Sequence, residues 1–543
     1  MIKELVTVLV LVGAPALVKA DDYTFQLLGK AAPDECFAGI GNPYPSRPPC
    51  AQGQAKVNQS YVWGLTRAGE QVWFGTGANV HCLTSGGSLG EDDPVVNDDY
   101  VCEYGESQVV ANHPTVPGEL GDVRPPQVWL YDTGTKVLTD ETAAITGAST
   151  EDNARLRNTL GLRSAGNLDG VVLLAGPSLS NTLNVFAFDT ATRRFLGSRT
   201  LLLYSNARTF LVAENSLYLG VGTGQGGGRG GAVLRWAGNR ATPFTFDKVG
   251  DLPAQAADLA YLDGRIYATT WSAANATTIG RLAGVWRSPA LPIRAGQIRQ
   301  WTQVFDASRY ETDPLIRTTY GLGGVAAFGG YLYWGTMHVP LQASLAHQAK
   351  YPQPTDEAVR LQARNTQRGL SIWRGKDLGT PNQKIELLYG ESTLPAYAPE
   401  TATWSSVPTG WTPLYGRSGF GNSLNNYTWR MTVAGDRLFV ATMDWSYLVH
   451  DLLPQAPPTD PALWGADLWV FPSAAEAAQP INTTGLGNYL NYGIRNMVAD
   501  GDDLYLGMAN PMNLRTDPTD DVPEGGWELI ELSRGRDAYA DRL

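Results

Sequence analysis

The chain is poor in the residue types that most often do chemistry. Of 543 residues, five are histidine, four cysteine and seven methionine. No C-x-x-C-H haem attachment and no G-x-S-x-G nucleophile elbow occur. The glycine-rich stretch at 222–231 lacks the Lys-Ser/Thr end of a phosphate loop, which makes it a hairpin loop. There is no block of Lys and Arg, and the formal net charge is -12. That balance excludes nucleic acid as a partner, because a basic stripe is needed to neutralise phosphates. It favours solubility and leaves cationic partners and calcium open. Long hydrophobic runs are also scarce: one lies at 5–17, and no second one follows. Almost nothing reads as helix, residues 345–364 being the main exception.

The single apolar run follows Lys3 and is followed by Val18-Lys19-Ala20, small residues where a signal peptidase reads. Residues 1–20 are therefore expected to be a signal peptide and 21–543 one domain in a secreted or periplasmic protein. An uncleaved anchor is the competing reading, against which the run is short for a spanning helix. Export makes the cysteines disulfide candidates. Cys36 with Cys50 and Cys82 with Cys102 are the simplest pairs, and a zinc site would want closer C-x-x-C spacing.

What the chain does have is repetition. A short apolar strand, a tight polar turn and an L-Y-x-G strand recur, followed after a variable loop by G-x-x-L-W-R. Clear copies are 211–220 with 231–236, 259–269 with 284–287, 325–335 with 370–374, 431–441 with 466–471, and 497–507 with 526–532. Residues 63–75 with 127–132 form another, and 161–176 with 184–189 a degenerate one. Alternating apolar residues around Gly, Asp and Asn turns mark antiparallel hairpins. A fourth strand follows in most copies, as at 244–250, 300–305 and 384–390. The expected fold is all-β: a seven-bladed β-propeller of four-stranded antiparallel blades, with six or eight blades as alternatives. The last copy lacks a fourth strand, and Y-T-F-Q-L-L-G at 23–29 matches F-T-F-D-K-V-G at 244–250. The N-terminal strand is therefore expected to close the ring as its outer edge.

These repeats resemble those of secreted bacterial β-propellers whose blades read G-x-L-Y-x-G-T … G-x-x-L-W-R, over residues 23–532. The Asp-box of sialidases, the Trp-Asp ending of WD repeats, the kelch spacing and the quinoprotein docking motif are missing. The resemblance implies a fold and a compartment, and no activity.

The long insertions, 77–126, 337–368, 391–425, 443–465 and 508–525, all belong on one face, where binding and catalysis are usually placed. All five histidines lie in them, and His338, His347 and His450 are the candidates for a base or metal ligand. Asp92, Asp93, Asp98 and Asp99, inside the Cys82 to Cys102 loop, are candidates for calcium or another divalent cation, although the spacing is not that of an EF-hand. Near the starts of first strands, Asn426-Tyr427-Thr428-Trp429-Arg430 matches Asn491-Tyr492-Gly493-Ile494-Arg495. Looser relatives supply Arg208 and, at 317–320, Arg317 and Tyr320. Such residues would ring the channel mouth and suit a carboxylate or phosphate; the alternative is pairing with Asp between blades. Trp271 and Trp445 follow second strands and would serve a glycan or peptide ligand, or else pack the insertions.

Three functions fit. The first is a non-enzymatic propeller binding a ligand or protein partner through its long-loop face. The second is a metal-assisted polysaccharide lyase or hydrolase, with the histidines as ligands or base and Arg317, Arg430 and Arg495 on a uronate. The third is an envelope or assembly scaffold.

Overall fold

The computed structural model describes residues 23–90, 92–97, 100–112, 116–273, 281–452, 460–510 and 522–535. The expected signal peptide, His113, Asp98, Asp99 and the His450 side chain lie outside these.

The strand-turn-strand copies fold as hairpins extended to four antiparallel strands, the repeating unit of a β-propeller. Unit one is Gln59–Ala68, Gln71–Ala78, Val128–Asp132 and Val137–Asp140. Units two, three and four stand as separate four-stranded sheets and begin at Ser164–Leu168, Asn206–Ala213 and Ala256–Leu262. Units five, six and seven begin at Tyr320–Phe328, Asn425–Ala434 and Gly493–Asp500. Bridges between Met337 and Tyr427, Met443 and Gly493, and Ala509 and Tyr61 join these three and unit one into a sheet of 16 strands. Each first strand touches the next unit's first strand, and Gly493–Asp500 touches Gln59–Ala68.

Unit seven takes its fourth strand from the other end of the chain. Tyr23–Lys30 pairs antiparallel with Glu528–Arg534, from Tyr23 opposite Arg534 to Lys30 opposite Glu528. The pairing skips Leu28 as a bulge, and the strand at Phe246–Leu252 skips Val249 at the matching position of the F-T-F-D-K-V-G segment. Apolar layers between units hold neighbours together: Tyr23, Phe439, Leu468 and Ile530 pack in one such layer.

Two departures from expectation have local causes. The helix expected at 345–364 is two helices, Gln342–Lys350 and Asp356–Thr366, because Pro352 and Pro354 interrupt the turn between them. The insertion at 391–425 contains a hairpin, Thr393–Ala398 with Thr403–Pro408. Its Trp404 lies 5.2 Å from His347 and buries that ring against the fifth unit's helices. The disulfides are Cys36–Cys50 and Cys82–Cys102, the sequence-local pairs, and they point to an oxidising compartment. No helix among the described residues is long and apolar enough to cross a membrane.

Candidate functional site at the axis

A strand in a flat ladder sends alternate side chains to its two faces, so it cannot aim many at one line in space. A bulge inserts an unpaired residue and re-aims its side chain. The first strands use this device repeatedly. The register breaks around Trp63 in unit one, Arg208 in unit three, Ala257 in unit four, Trp429 in unit six and Arg495 in unit seven. In unit five the break is at Gly323 and Gly324, which have no side chain to project. Arg163 immediately precedes the first strand of unit two.

Four arginines converge: Arg208 and Arg495 from bulges, Arg430 from just beyond one, and Arg163 from the segment before its strand. Arg430 of unit six donates to Asp258 Oδ1 of unit four at 2.8 Å and to Thr209 Oγ1 of unit three at 3.2 Å. Units three and six are not neighbours, so these contacts are possible only near the axis. Asp258 Oδ1 also accepts from Thr209 at 2.8 Å and from the Leu259 backbone N–H at 2.9 Å, and Oδ2 from the Val325 backbone N–H at 3.3 Å. The other three guanidinium groups form no ion pair among the described residues. Each instead lies over a tryptophan: Arg163 over Trp63 at 5.2 Å, Arg208 over Trp271 at 4.5 Å, Arg495 over Trp429 at 5.6 Å. The Nε atoms of all four arginines are buried without a partner among the described residues.

Burial lowers the pKa of Arg208 to about 9, helped by the charge of Arg495, and burial with Arg163 and Arg430 does the same to Arg495. Arg163 is pushed well down by burial and by Arg208. Arginine holds its proton throughout the physiological range. The site is therefore a half-buried patch of four positive charges answered by one carboxylate.

Toward the long-loop face the axis is filled. Tyr61, Trp63, Tyr427, Trp429 and Tyr492 form a buried aromatic cluster with ring centroids 5.6 to 6.0 Å apart. Cys82, Cys102, Tyr100 and Trp445 from the insertions cover it. Glycine is required where these rings meet the next unit: a Cβ on Gly493 would collide with the Trp429 ring, and one on Gly161 with Trp63.

The sequence match of residues 426–430 to 491–495 is one residue out of structural register. Asn425 and Asn491 are the equivalent pair, each donating to a glycine carbonyl six residues earlier and to an acidic side chain, Asp467 or Glu528. Arg495 is thus the counterpart of Trp429, and Arg430 of Asn496, yet both arginines reach the axis. Arg317 is elsewhere, in the turn Ile316–Thr319, and Tyr320 donates to Glu311 at 2.8 Å. Arg163 and Asp258 were not found from sequence. The x-x-R signal before a first strand is present at Gly161-Leu162-Arg163, but it lies in the degenerate copy.

The histidines with described side chains have separate partners. His338 Nε2 lies 3.0 Å from Thr336 Oγ1 and is held at about pKa 3 by burial and by Arg368. His347 Nε2 lies 3.2 Å from Asp313 Oδ1. His81 is buried 5.4 Å from the Tyr100 ring, and burial lowers it to about 4. Asp92 and Asp93 are exposed, and no group of three or more metal-ligating side chains occurs among the described residues.

A second recess, a cleft of about 1020 Å³, lies between the first insertion and the helix Thr150–Arg157. Its buried charges are paired, while Arg157 on its rim is exposed. Arg124 binds Glu35 at 2.9 and 3.1 Å, Glu103 at 3.1 Å and Tyr44 at 2.8 Å, and Lys56 binds Glu103 at 2.8 Å. The axial arginines differ in having buried donors left over.

No family model matches the chain, and no curated protein sequence does. Solved structures with a similar fold include hydrazine synthase of Kuenenia stuttgartiensis (9% identity, TM-score 0.38, 84% of this chain and 95% of that one). Another is the β-propeller domain of the trilobed protease of Pyrococcus furiosus (7%, TM-score 0.31, 78% and 98%). A third is a puromycin-hydrolysing peptidase of Mycobacterium tuberculosis (10%, TM-score 0.38, 82% and 48%). Likeness at this level carries no argument about chemistry.

Proposed function

We propose that the chain is a closed seven-bladed propeller, exported through its N-terminal segment, that binds a ligand at its axis and does not transform it. The supporting observation is the meeting of Arg163, Arg208, Arg430 and Arg495 with unspent donors and with Asp258 as their one carboxylate partner. Donors that hold a charge suit recognition. General acid-base chemistry needs a group whose proton moves near neutral pH within reach of the substrate, and arginine does not provide one.

The binder reading shifts the expected site from the outer surface of the loops to the axis beneath them. The lyase or hydrolase reading ranks second, because His338 and His347 are each engaged with a neighbour, Thr336 and Asp313. A glycan, peptide or envelope protein remains the proposed partner class for the loop face, where Trp271 and Trp445 pack inward with the aromatic cluster.

The test is to purify the full chain, release bound small molecules by denaturation and identify them by mass spectrometry. A stoichiometric compound that is missing from the Arg495→Met protein supports the reading. A compound retained unchanged by that variant, or a turnover product in place of a ligand, would sink it.

A further inference from the structure

The axial arginines approach one point from several sides. Arg163, Arg208, Arg430 and Arg495 come from units two, three, six and seven, and the first strands of those units surround the axis. A lone carboxylate offers two oxygens whose acceptor sites all lie in one plane. Forks converging from different directions are satisfied by oxygens pointing in different directions.

The tryptophans sharpen this. Each of Arg163, Arg208 and Arg495 has its guanidinium carbon 4.5 to 5.6 Å from the centre of a tryptophan ring, which blocks one side of the group and limits its swing. The cation-π contact holds the fork in place before a ligand arrives, which reduces the ordering cost of binding. Arg430 plays a different part. It is tied to Asp258 and Thr209, which leaves the other three arginines as the uncompensated charge.

We infer that this cluster is a binding site for a small, multiply charged tetrahedral oxyanion, a phosphoryl or sulfuryl group, free or as the head of a larger ligand. The inference rests on the axial-binding reading above and adds the ligand class. The aromatic cluster of Tyr61, Trp63, Tyr427, Trp429 and Tyr492 obstructs the long-loop end of the axis. The anion therefore reaches the arginines from the face that carries the short turns.

Mutual repulsion gives the site a signature that a purely structural arginine lacks. Without an anion, the cluster destabilises the fold, and removing one charge relieves it. With an anion, the same charge is needed.

The experiment measures binding of inorganic phosphate, sulfate, citrate and the neutral sugar maltose to the full-length mature protein, by calorimetry and thermal unfolding at fixed ionic strength in chloride. Phosphate and sulfate are expected to bind at one site per chain and to raise the melting temperature. Arg208→Met and Arg495→Met are each expected to weaken both anions at least tenfold, on the order seen when a charged hydrogen-bonding partner is lost, and to raise the melting temperature of the anion-free protein. Arg208→Lys keeps the charge and loses the fork, so it should weaken binding without that stabilisation. Arg299→Met, at a side chain 92% exposed, should change nothing. The inference is overturned if folded wild-type protein binds neither phosphate nor sulfate, or if Arg208→Met and Arg495→Met bind them unchanged. Citrate binding tighter than both anions would overturn the tetrahedral assignment. Maltose binding that depends on Arg495 would overturn the anion class while leaving axial binding in place.

Discussion

Single residues at the axis are constrained by contact with the next unit as much as by their own. Gly493 lies against the Trp429 ring with no room for a Cβ, and overpacking of this kind costs about 1–3 kcal/mol. Gly493→Ala should lower the unfolding free energy by that amount in urea melts, and an unchanged midpoint would refute the close approach. A different kind of constraint holds Asp467, which accepts from Asn425 at 2.7 Å and from Trp469 Nε1 at 3.0 Å in a fully enclosed site. Burial raises its pKa from 3.8 to about 6. Folding therefore takes up a proton, so this residue's contribution is most favourable below pH 4 and is lost as pH rises to 6. At roughly 1.4 kcal/mol per unit, the change is about 3 kcal/mol. His338 has the opposite sign, since its contribution is lost as pH falls from 6.5 toward 3. The clean measurement is the difference between wild type and Asp467→Asn: the variant should gain relative stability between pH 4 and 6, and parallel profiles would contradict this. Arg208, Arg430 and Arg495 were legible in the sequence because each falls near the start of a first strand. Asp258 was not, because sequence spacing does not reveal that Ala257 is skipped in the ladder and that Asp258 lands opposite Arg430.

Elements were easier to read than residues, because period-two alternation and glycine-bearing turns report the hairpin directly. The weak second copy still folds as four strands, with Val171–Pro177 and Leu183–Asp189 buried almost throughout. Second strands of the clear copies are as buried; what this copy lacks is the motif itself, reading V-V-L-L-A-G and N-V-F-A-F-D in place of L-Y-x-G and L-W-R. The two helices of the 337–368 insertion were seen as one because periodicity continues through 351–355, while proline restricts the backbone there. The strand Tyr23–Lys30 carries the sharpest element-level prediction. Deleting residues 21–29 leaves Glu528–Arg534 with an unpaired edge and should destabilise the protein by several kcal/mol, a large part of a typical domain's stability. Calorimetry on the deletion checks this, and an unshifted melting temperature would remove the pairing's energetic role. The Cys82–Cys102 link lies over the axial aromatic cluster. Replacing both cysteines with serine frees a loop of 20 residues and should cost about 3 kcal/mol in denaturant melts, with phosphate affinity retained if the arginines alone bind the anion.

At the scale of the whole molecule, the fold gathers a local basic cluster at the axis of an acidic protein. The net charge is -12, yet units two, three, six and seven each send one arginine inward. No stretch of sequence contains the site, which is why composition points away from it and only the three-dimensional arrangement reveals it. The same circular arrangement sets a timetable. Lys30 ends the first strand made, and its partner Glu528 is 498 residues away. At roughly 5–20 residues per second, a ribosome needs about 25–100 s to reach that partner. Bringing together ends that far apart costs on the order of 5 kcal/mol in chain entropy, before any contact between them forms. Until then the strand waits with Phe25 and Leu27, half-exposed even in the finished fold, as an open edge that another copy of the chain can capture. Crowding of nascent chains is thus a condition that favours pairing of this edge between copies.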